Sequence, residues 1–515
     1  MLLTKWLISD ILIIIISVII GLYIYFKFYI FNFWRAKGVL YKEPTFPTGN
    51  MMPVLTGRIS NAKYFKDLYE QYKRHKFFGI YMLHKPFLVV NDPNLIREIL
   101  TREFASFHDR GIFCNEETDP LSGHLFQLPG KKWRNLRIKL TPTFTSGKLK
   151  QMFPVMKESG DHLAKILNEK ARIGSTVDVK DMLAKYSLDI IMSVAFGITC
   201  DSFNNPKNIF HQMGKKAFAP NAFWNTLCIC APEVFEIFSM PYNERAFTKN
   251  FNKLFKETVE HRISNNIVRK DFLNLLIQLI ENGYVAADDA SSDNTNISKT
   301  EGNKLTMTEA AAQAYVFYLA GYETSSTTAT FCLYELAKNQ DVQNKLREEI
   351  RKVIKEHGGL TYAALHDMNY LQKVISETLR KYPPVIILNR ICTKEVQLKE
   401  TDLHIPVGTP IIIPIIGLHG DAEIYPEPEK FDPERFSEEN VKTRHSYAYL
   451  PFGEGPRICI GLRFGMTQTK VAIVSVISKN IMKLAPGTPT TLDFEEGSLI
   501  LMPKGGVHLT IAPVQ

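Results

Sequence analysis

The sequence predicts a mainly α protein with a small β subdomain, carried behind an N-terminal transmembrane helix. Three observations predict it. From Asn61 onward, apolar residues recur at helical spacing through most of the chain. Strand-like runs are few and short, at 87–90, 409–416 and 499–501. Residues 11–26 are almost wholly apolar. No internal repeat is evident, and 515 residues are enough for one large single-core unit. The expected division is an anchor over 1–31, a linker over 32–53 and a catalytic domain over 54–515.

The anchor comes first. A helix needs roughly 20 apolar residues to cross the hydrocarbon core. The run reaches that length if Lys27 snorkels to the headgroups. No small-residue cleavage site follows it, which predicts a retained anchor rather than a removed signal peptide. Lys5 precedes the run, whereas Lys27, Arg35, Lys37 and Lys42 follow it, so the remainder is expected in the cytosol. The cysteines agree: seven in number, odd and sparse, they predict a reducing compartment and no disulfide scaffold. Cys228 and Cys230 have no histidine close by and read as core thiols. A sequon at 296–298 would then never meet the glycosylation machinery. The formal charge of +9 is modest for this length and suits a membrane surface or an acidic partner. With no supporting motif, nucleic acid is excluded as a partner.

Residues 43–53 are rich in turn formers and read as a stiff linker. Residues 286–303, rich in Ser, Asp, Asn and Thr, read as a surface loop. Between them, Trp133, Leu136, Arg137 and Leu140 share one helical face, with Lys131, Lys132, Arg134 and Lys139 off it. Residues 308–340 read as one long helix, with Thr308 its N-cap. Its middle, Ala320-Gly-Tyr-Glu-Thr324, puts Ala320 and Thr324 on one face with Val316 and Phe317 a turn away. A mid-helix threonine can bond back to the carbonyl four residues earlier and open a polar notch. Glu377 and Arg380 lie off the apolar stripe of a further helix that Pro383-Pro384 ends. Taken alone, they are an exposed ion pair.

The most informative run is Phe452-Gly-Glu-Gly-Pro-Arg-Ile-Cys-Ile-Gly461. Three glycines let backbone approach a flat ligand closely. A helical pattern follows Gly461, so Cys459 sits at or just before a helix N-terminus, where dipole and free amides favour thiolate.

This loop resembles the haem-binding loop of the cytochrome P-450 family, and the resemblance extends from about the linker to the C-terminus. It is closest in wording to insect microsomal members concerned with detoxification. The family's fold is the one predicted above. By resemblance, Cys459 is the axial ligand to the iron of haem b (iron protoporphyrin IX), Phe452 packs beside the sulfur, and Gly461 and Ala320 border the haem. Trp133, Arg137, Arg390 and Arg457 would hold its propionates. Thr324 and Glu323 are implied in oxygen activation and proton delivery. Glu377, Arg380 and Arg435, the last in Phe431-Asp-Pro-Glu-Arg-Phe436, would form a buried network under the cysteine loop.

The stretches that match the family's substrate contacts contain Phe113, Phe126, Phe317, Ile386, Ile387 and Leu499. All are apolar, which implies a lipophilic substrate. The reaction implied is insertion of one atom of O2 at the endoplasmic reticulum membrane. The chain carries no flavin or nicotinamide fingerprint, so electrons would come from an NADPH-dependent flavin reductase docking on the basic face, with cytochrome b5 left open as a second donor. Two alternatives remain: a haem-thiolate isomerase or dehydratase that rearranges peroxides without a reductase, and a haem-bearing sensor or carrier. Glu323 and Thr324 favour the monooxygenase, because it alone needs proton delivery.

Overall fold

The computed structural model describes residues 2–205, 208–285, 304–399 and 401–514. The expected surface loop over 286–303, with its sequon, lies outside them. Helix α1 (Leu2–Tyr25) continues through a short π-helical stretch, Phe26–Ile30. The segment Ile8–Ala36 is long and apolar enough to cross a membrane. Its Ile and Leu side chains from Ile8 to Ile24 are exposed, as a lipid-facing helix requires.

The stretch expected to be a linker is docked on the globule. Trp34 is 1% exposed. Its indole N–H donates to the Ile80 carbonyl at 3.2 Å, and its backbone N–H donates to the Tyr81 hydroxyl at 3.0 Å. The indole lies against Gly79, where any Cβ would collide with it. Gly79 N–H donates to Leu40 O at 2.8 Å and Lys42 N–H to Gly79 O at 3.0 Å. Turn-rich composition predicted stiffness here, but the aromatic and backbone contacts that pin the segment are not visible in composition.

That docking edge is β1 (Phe77–Met82), paired antiparallel with β2 (Lys85–Val90). Next come α2 (Gly130–Leu140), α3 (Ser146–Arg172), β3 (Thr176–Asp178) and α4 (Val179–Phe196). Helices α5 (Ile209–Ala217), α6 (Ala222–Cys230) and α7 (Arg245–Ser264) lead to α8 (Met307–Lys338) and α9 (Asn369–Lys381). The chain closes with β4 (Leu388–Ile391), β5 (Pro410–Ile413), α10 (Leu462–Ile477), β6 (Asn480–Leu484) and β7 (His508–Pro513). One sheet has the order β1-β2-β5-β4, with β2 and β5 parallel; a second has the order β3-β7-β6. The strand expected at 409–416 shortens to β5, because Ile415–His419 turns helical after Pro414. No strand forms at 499–501: Gly497 has φ +70° and bends the chain, and Leu501 N–H donates to Pro384 O instead.

Helices α3, α4, α8 and α10 pack around one core. Both α4 and α8 are buried on nearly every face, as central helices of a large core must be. Each fully buried Leu or Ile there contributes roughly 1.5–3 kcal/mol. The N-cap of α8 is Thr306, not Thr308. Its hydroxyl accepts from Glu309 N–H while the Glu309 carboxylate accepts from Thr306 N–H, and this reciprocal box fixes the start. Gly321 lets α8 approach α4 closely, since a Cβ there would strike the Ile191 side chain.

Candidate active site

A cavity of about 1080 Å3 lies between α8, the loop before α10, and a roof built from α6 and the loops around residues 110–128 and 216–247. Val316, Phe317, Ala320 and Thr324 of α8 line it, as their shared helical face requires. The Thr324 hydroxyl donates to Ala320 O at 2.6 Å, giving the expected notch beside apolar Val316, Phe317 and Ala320. Phe317 is wedged by stacking on Phe272, ring centres 4.4 Å apart, and by an edge contact with Phe464.

Cys459 faces the same cavity. Gly453 (φ +70°) and Gly455 (φ +75°) shape its loop, and a Cβ on Gly455 would strike the Leu100 carbonyl. Cys459 N–H donates to Phe452 O at 2.9 Å. Burial pushes the thiol pKa up, opposed by the Gly461 N–H and by the charges of Arg137 and Arg110.

Beside the cysteine four arginines converge. Arg137 donates to Ile458 O at 2.9 Å. Arg457 donates to His108 O at 2.6 Å and Leu128 O at 2.9 Å, and reaches Asp109 at 3.3 Å. Its guanidinium lies 4.1 Å from the Trp133 ring centre, so Trp133 is a platform for the arginine. Arg390, fully buried on β4, donates to Asn389 O. Among these four arginines three guanidinium nitrogens are buried without hydrogen-bond partners: Arg110 Nε, Arg390 Nε and Arg457 Nη1. Burial and mutual repulsion lower the pKa of Arg390 and bring Arg457 down to about 9; burial holds Arg110 at about 10. A ligand carrying carboxylates would satisfy those donors and relieve the repulsion. A haem, with two propionates, an iron for Cys459 and a flat apolar body for this cavity, fits the residues present.

The family model for Cytochrome P450 matches residues 43–511. The chain belongs to the cytochrome P450 family. It is 39% identical over 511 residues to "Probable cytochrome P450 6a20" of Drosophila melanogaster, covering 97% of this chain and 99% of that protein. It is 38% identical over 510 residues to "Cytochrome P450 6A1" of Musca domestica, covering 97% of each. With "Cytochrome P450 6k1" of Blattella germanica it shares 37% identity over 519 residues, 97% of this chain and 96% of the other. Haem-thiolate chemistry is therefore the family chemistry of this cavity, with a redox partner, O2 and a substrate.

The remaining predicted residues divide. Phe452, Gly461, Phe126, Ile386, Ile387 and Leu499 line the cavity. Phe113 does not. It is 0% exposed and packs on Phe235 and Cys228 in a satellite cluster under the roof, because Phe113 N–H is tied to Cys228 O at 3.1 Å. Glu323 also points away from the cavity: its carboxylate pairs with Lys180 of α4 and accepts from the Thr327 hydroxyl at 3.1 Å. It is one residue from Thr324, and one residue is 100° around a helix. Cys228 and Cys230 are buried as expected but border the cavity. Glu377 and Arg380 are not an exposed pair: both are buried, joined at 2.7 and 2.8 Å, with Arg435 3.4 Å from Glu377. Lys131, Lys132 and Arg134 are exposed, opposite Trp133.

Sequence reasoning missed Arg110 and most of the roof, including Phe218, Trp224, Tyr242 and Phe247. The signal for Arg110 was slight: one cation in Asp109-Arg110-Gly111 ahead of apolar Ile112. The roof carries no motif at all.

Proposed function

We propose that this chain is a membrane-anchored monooxygenase that inserts one atom of O2 into lipophilic substrates, with haem b held by Cys459. The observation that carries the reading is a cysteine and a threonine notch facing each other's cavity, beside buried arginine donors without partners. Cys459 is the metal ligand; Arg110, Arg137, Arg390 and Arg457 hold the propionates on their guanidinium forks, with Trp133 beneath Arg457. Bound there, haem would supply the redox and dioxygen chemistry.

The protein's own residues do the rest. Phe317, Ile386, Ile387 and Leu499 exclude water and orient an apolar substrate. The Thr324 hydroxyl, its proton on Ala320 O, presents an acceptor at the notch, and Glu323, one residue away and paired with Lys180, takes part in proton delivery to it. Residues 1–31 serve as the anchor and 54–515 as the catalytic domain, with 32–53 fixing one to the other. The charges after α1 support an endoplasmic reticulum location facing the cytosol. The exposed Lys131, Lys132 and Arg134 suit an acidic NADPH-dependent flavin reductase, with cytochrome b5 as a second donor.

The test is the carbon monoxide difference spectrum of the reduced protein, read together with reductant-dependent turnover. The expected result is a far red-shifted Soret band that Cys459→Ala abolishes and Cys228→Ala keeps. A band that survives Cys459→Ala would overturn the ligand assignment. Turnover without any electron donor would favour peroxide isomerisation.

A further inference from the structure

His124 lines the cavity wall and is 6% exposed. Its backbone is pinned: the N–H donates to Ser122 O at 2.8 Å, and the carbonyl accepts from Gln127 and Leu128 N–H at 3.0 Å each. Its ring sits between Tyr315 and Phe126, 6.3 and 6.5 Å away between centres. Among the described residues no other side chain engages either ring nitrogen, and Nδ1 is buried without a partner. Three polar side chains near it are committed. Gln313 bonds Gly123 O and Leu125 N–H; Tyr315 donates to Asn243; Tyr242 donates to Asn225. A buried polar group left unpaired costs about 1–3 kcal/mol, so a spare imidazole in an apolar cavity asks for a ligand.

The chemistry of that ligand follows from the ring. Burial holds the pKa at about 3, so the imidazole is neutral at physiological pH. A neutral imidazole keeps one ring nitrogen as an acceptor, and no other side chain occupies it among the described residues. The position follows from α8. Gln313, which clamps the His124 loop, precedes Ala320 by seven residues, about 10 Å along the helix.

We propose that His124 is a specificity-determining residue that accepts a hydrogen bond from the hydroxyl of a lipophilic alcohol. That contact holds a carbon about 10 Å from the hydroxyl against Ala320 and Thr324. It rests on the reading that oxidation takes place at that notch.

The experiment titrates the oxidised holoprotein with decan-1-ol, its methyl ether and decane, following the haem absorption spectrum. Wild type should bind the alcohol about tenfold more tightly than the ether, which lacks the donor. His124→Phe should remove that preference while leaving ether and decane within about twofold, and His124→Gln, which keeps an acceptor, should restore part of it. An alcohol bound no better than the ether by wild type, or an equal loss for all three probes in His124→Phe, overturns the proposal. The wild-type comparison holds even if His124→Phe fails to fold. Absence of the red-shifted carbon monoxide band in wild type would instead sink the haem-thiolate reading.

Discussion

Two buried carboxylates, Glu377 on α9 and Glu323 on α8, are held in different ways. Glu377 meets Arg380 through two parallel bonds, accepts from Asp432 N–H at 3.1 Å and has Arg435 beside it. The other donors of Arg380 are used on His419 O and Pro428 O. His419 in turn accepts from Leu450 N–H, two residues before Phe452 of the cysteine loop. Glu323 meets one lysine and one hydroxyl, and Lys180 also reaches the Ser326 hydroxyl at 3.0 Å. A planar guanidinium fork fixes geometry; an ammonium on a flexible stem is a movable point charge. The difference teaches that the floor beneath the cysteine is built to stay, and the helix face beside the cavity to let go.

The largest expected effect tests the floor. Glu377→Ala leaves Arg380 and Arg435 buried without their counter-charge, which costs about 3–5 kcal/mol. Urea unfolding followed by haem absorbance should show that loss, with little cysteine-ligated haem retained. A change under about 1 kcal/mol would mean that the network is ornamental.

The next effect is on pH. His419 is 1% exposed; burial, then the Arg380 charge, holds its pKa at about 3 against an ordinary 6.5. Between those values the unfolded chain binds the proton and the folded one does not. The stabilisation is therefore full above pH 6.5 and falls as pH drops toward 3, by about 1.4 kcal/mol per unit. His419→Gln should flatten the acid limb of stability against pH. An unchanged acid limb in that variant would place the titration elsewhere, His124 being the other histidine held at about 3.

How much of this was legible in the sequence depends on whether a contact is local. The cysteine loop was legible because glycines, Pro456 and Cys459 must be close in sequence to shape one turn. Helical spacing put Val316, Phe317, Ala320 and Thr324 on one face of α8, and the resemblance made that face the cavity wall. The buried state of Glu377 came only with the family resemblance: taken locally, its i,i+3 partner looks the same on a surface, and burial comes from the segment 419–436, forty to sixty residues on. Strand β1 hid because it is buried on both faces and shows no alternation, and Gly79 within it reads as a breaker. Phe113 misled because the backbone bond to Cys228 O that turns it away from the cavity joins residues 115 apart in sequence.

The smallest stability effect sharpens the other half of the comparison. Glu323→Gln keeps the shape and an acceptor for Lys180 and Thr327, so unfolding free energy should move by only about 1 kcal/mol. It removes the group able to take up and pass on a proton. Turnover should fall by about 10- to 100-fold, with a larger solvent isotope effect and more peroxide released per electron consumed. Haem binding should be untouched, since Glu323 points away from the cavity. If turnover, isotope effect and coupling all match wild type, the Lys180 pair is structural, and the proton must reach Thr324 by another route. If stability instead drops as far as in Glu377→Ala, the two carboxylates are equivalent after all, and the contrast between fork and point charge has no functional content.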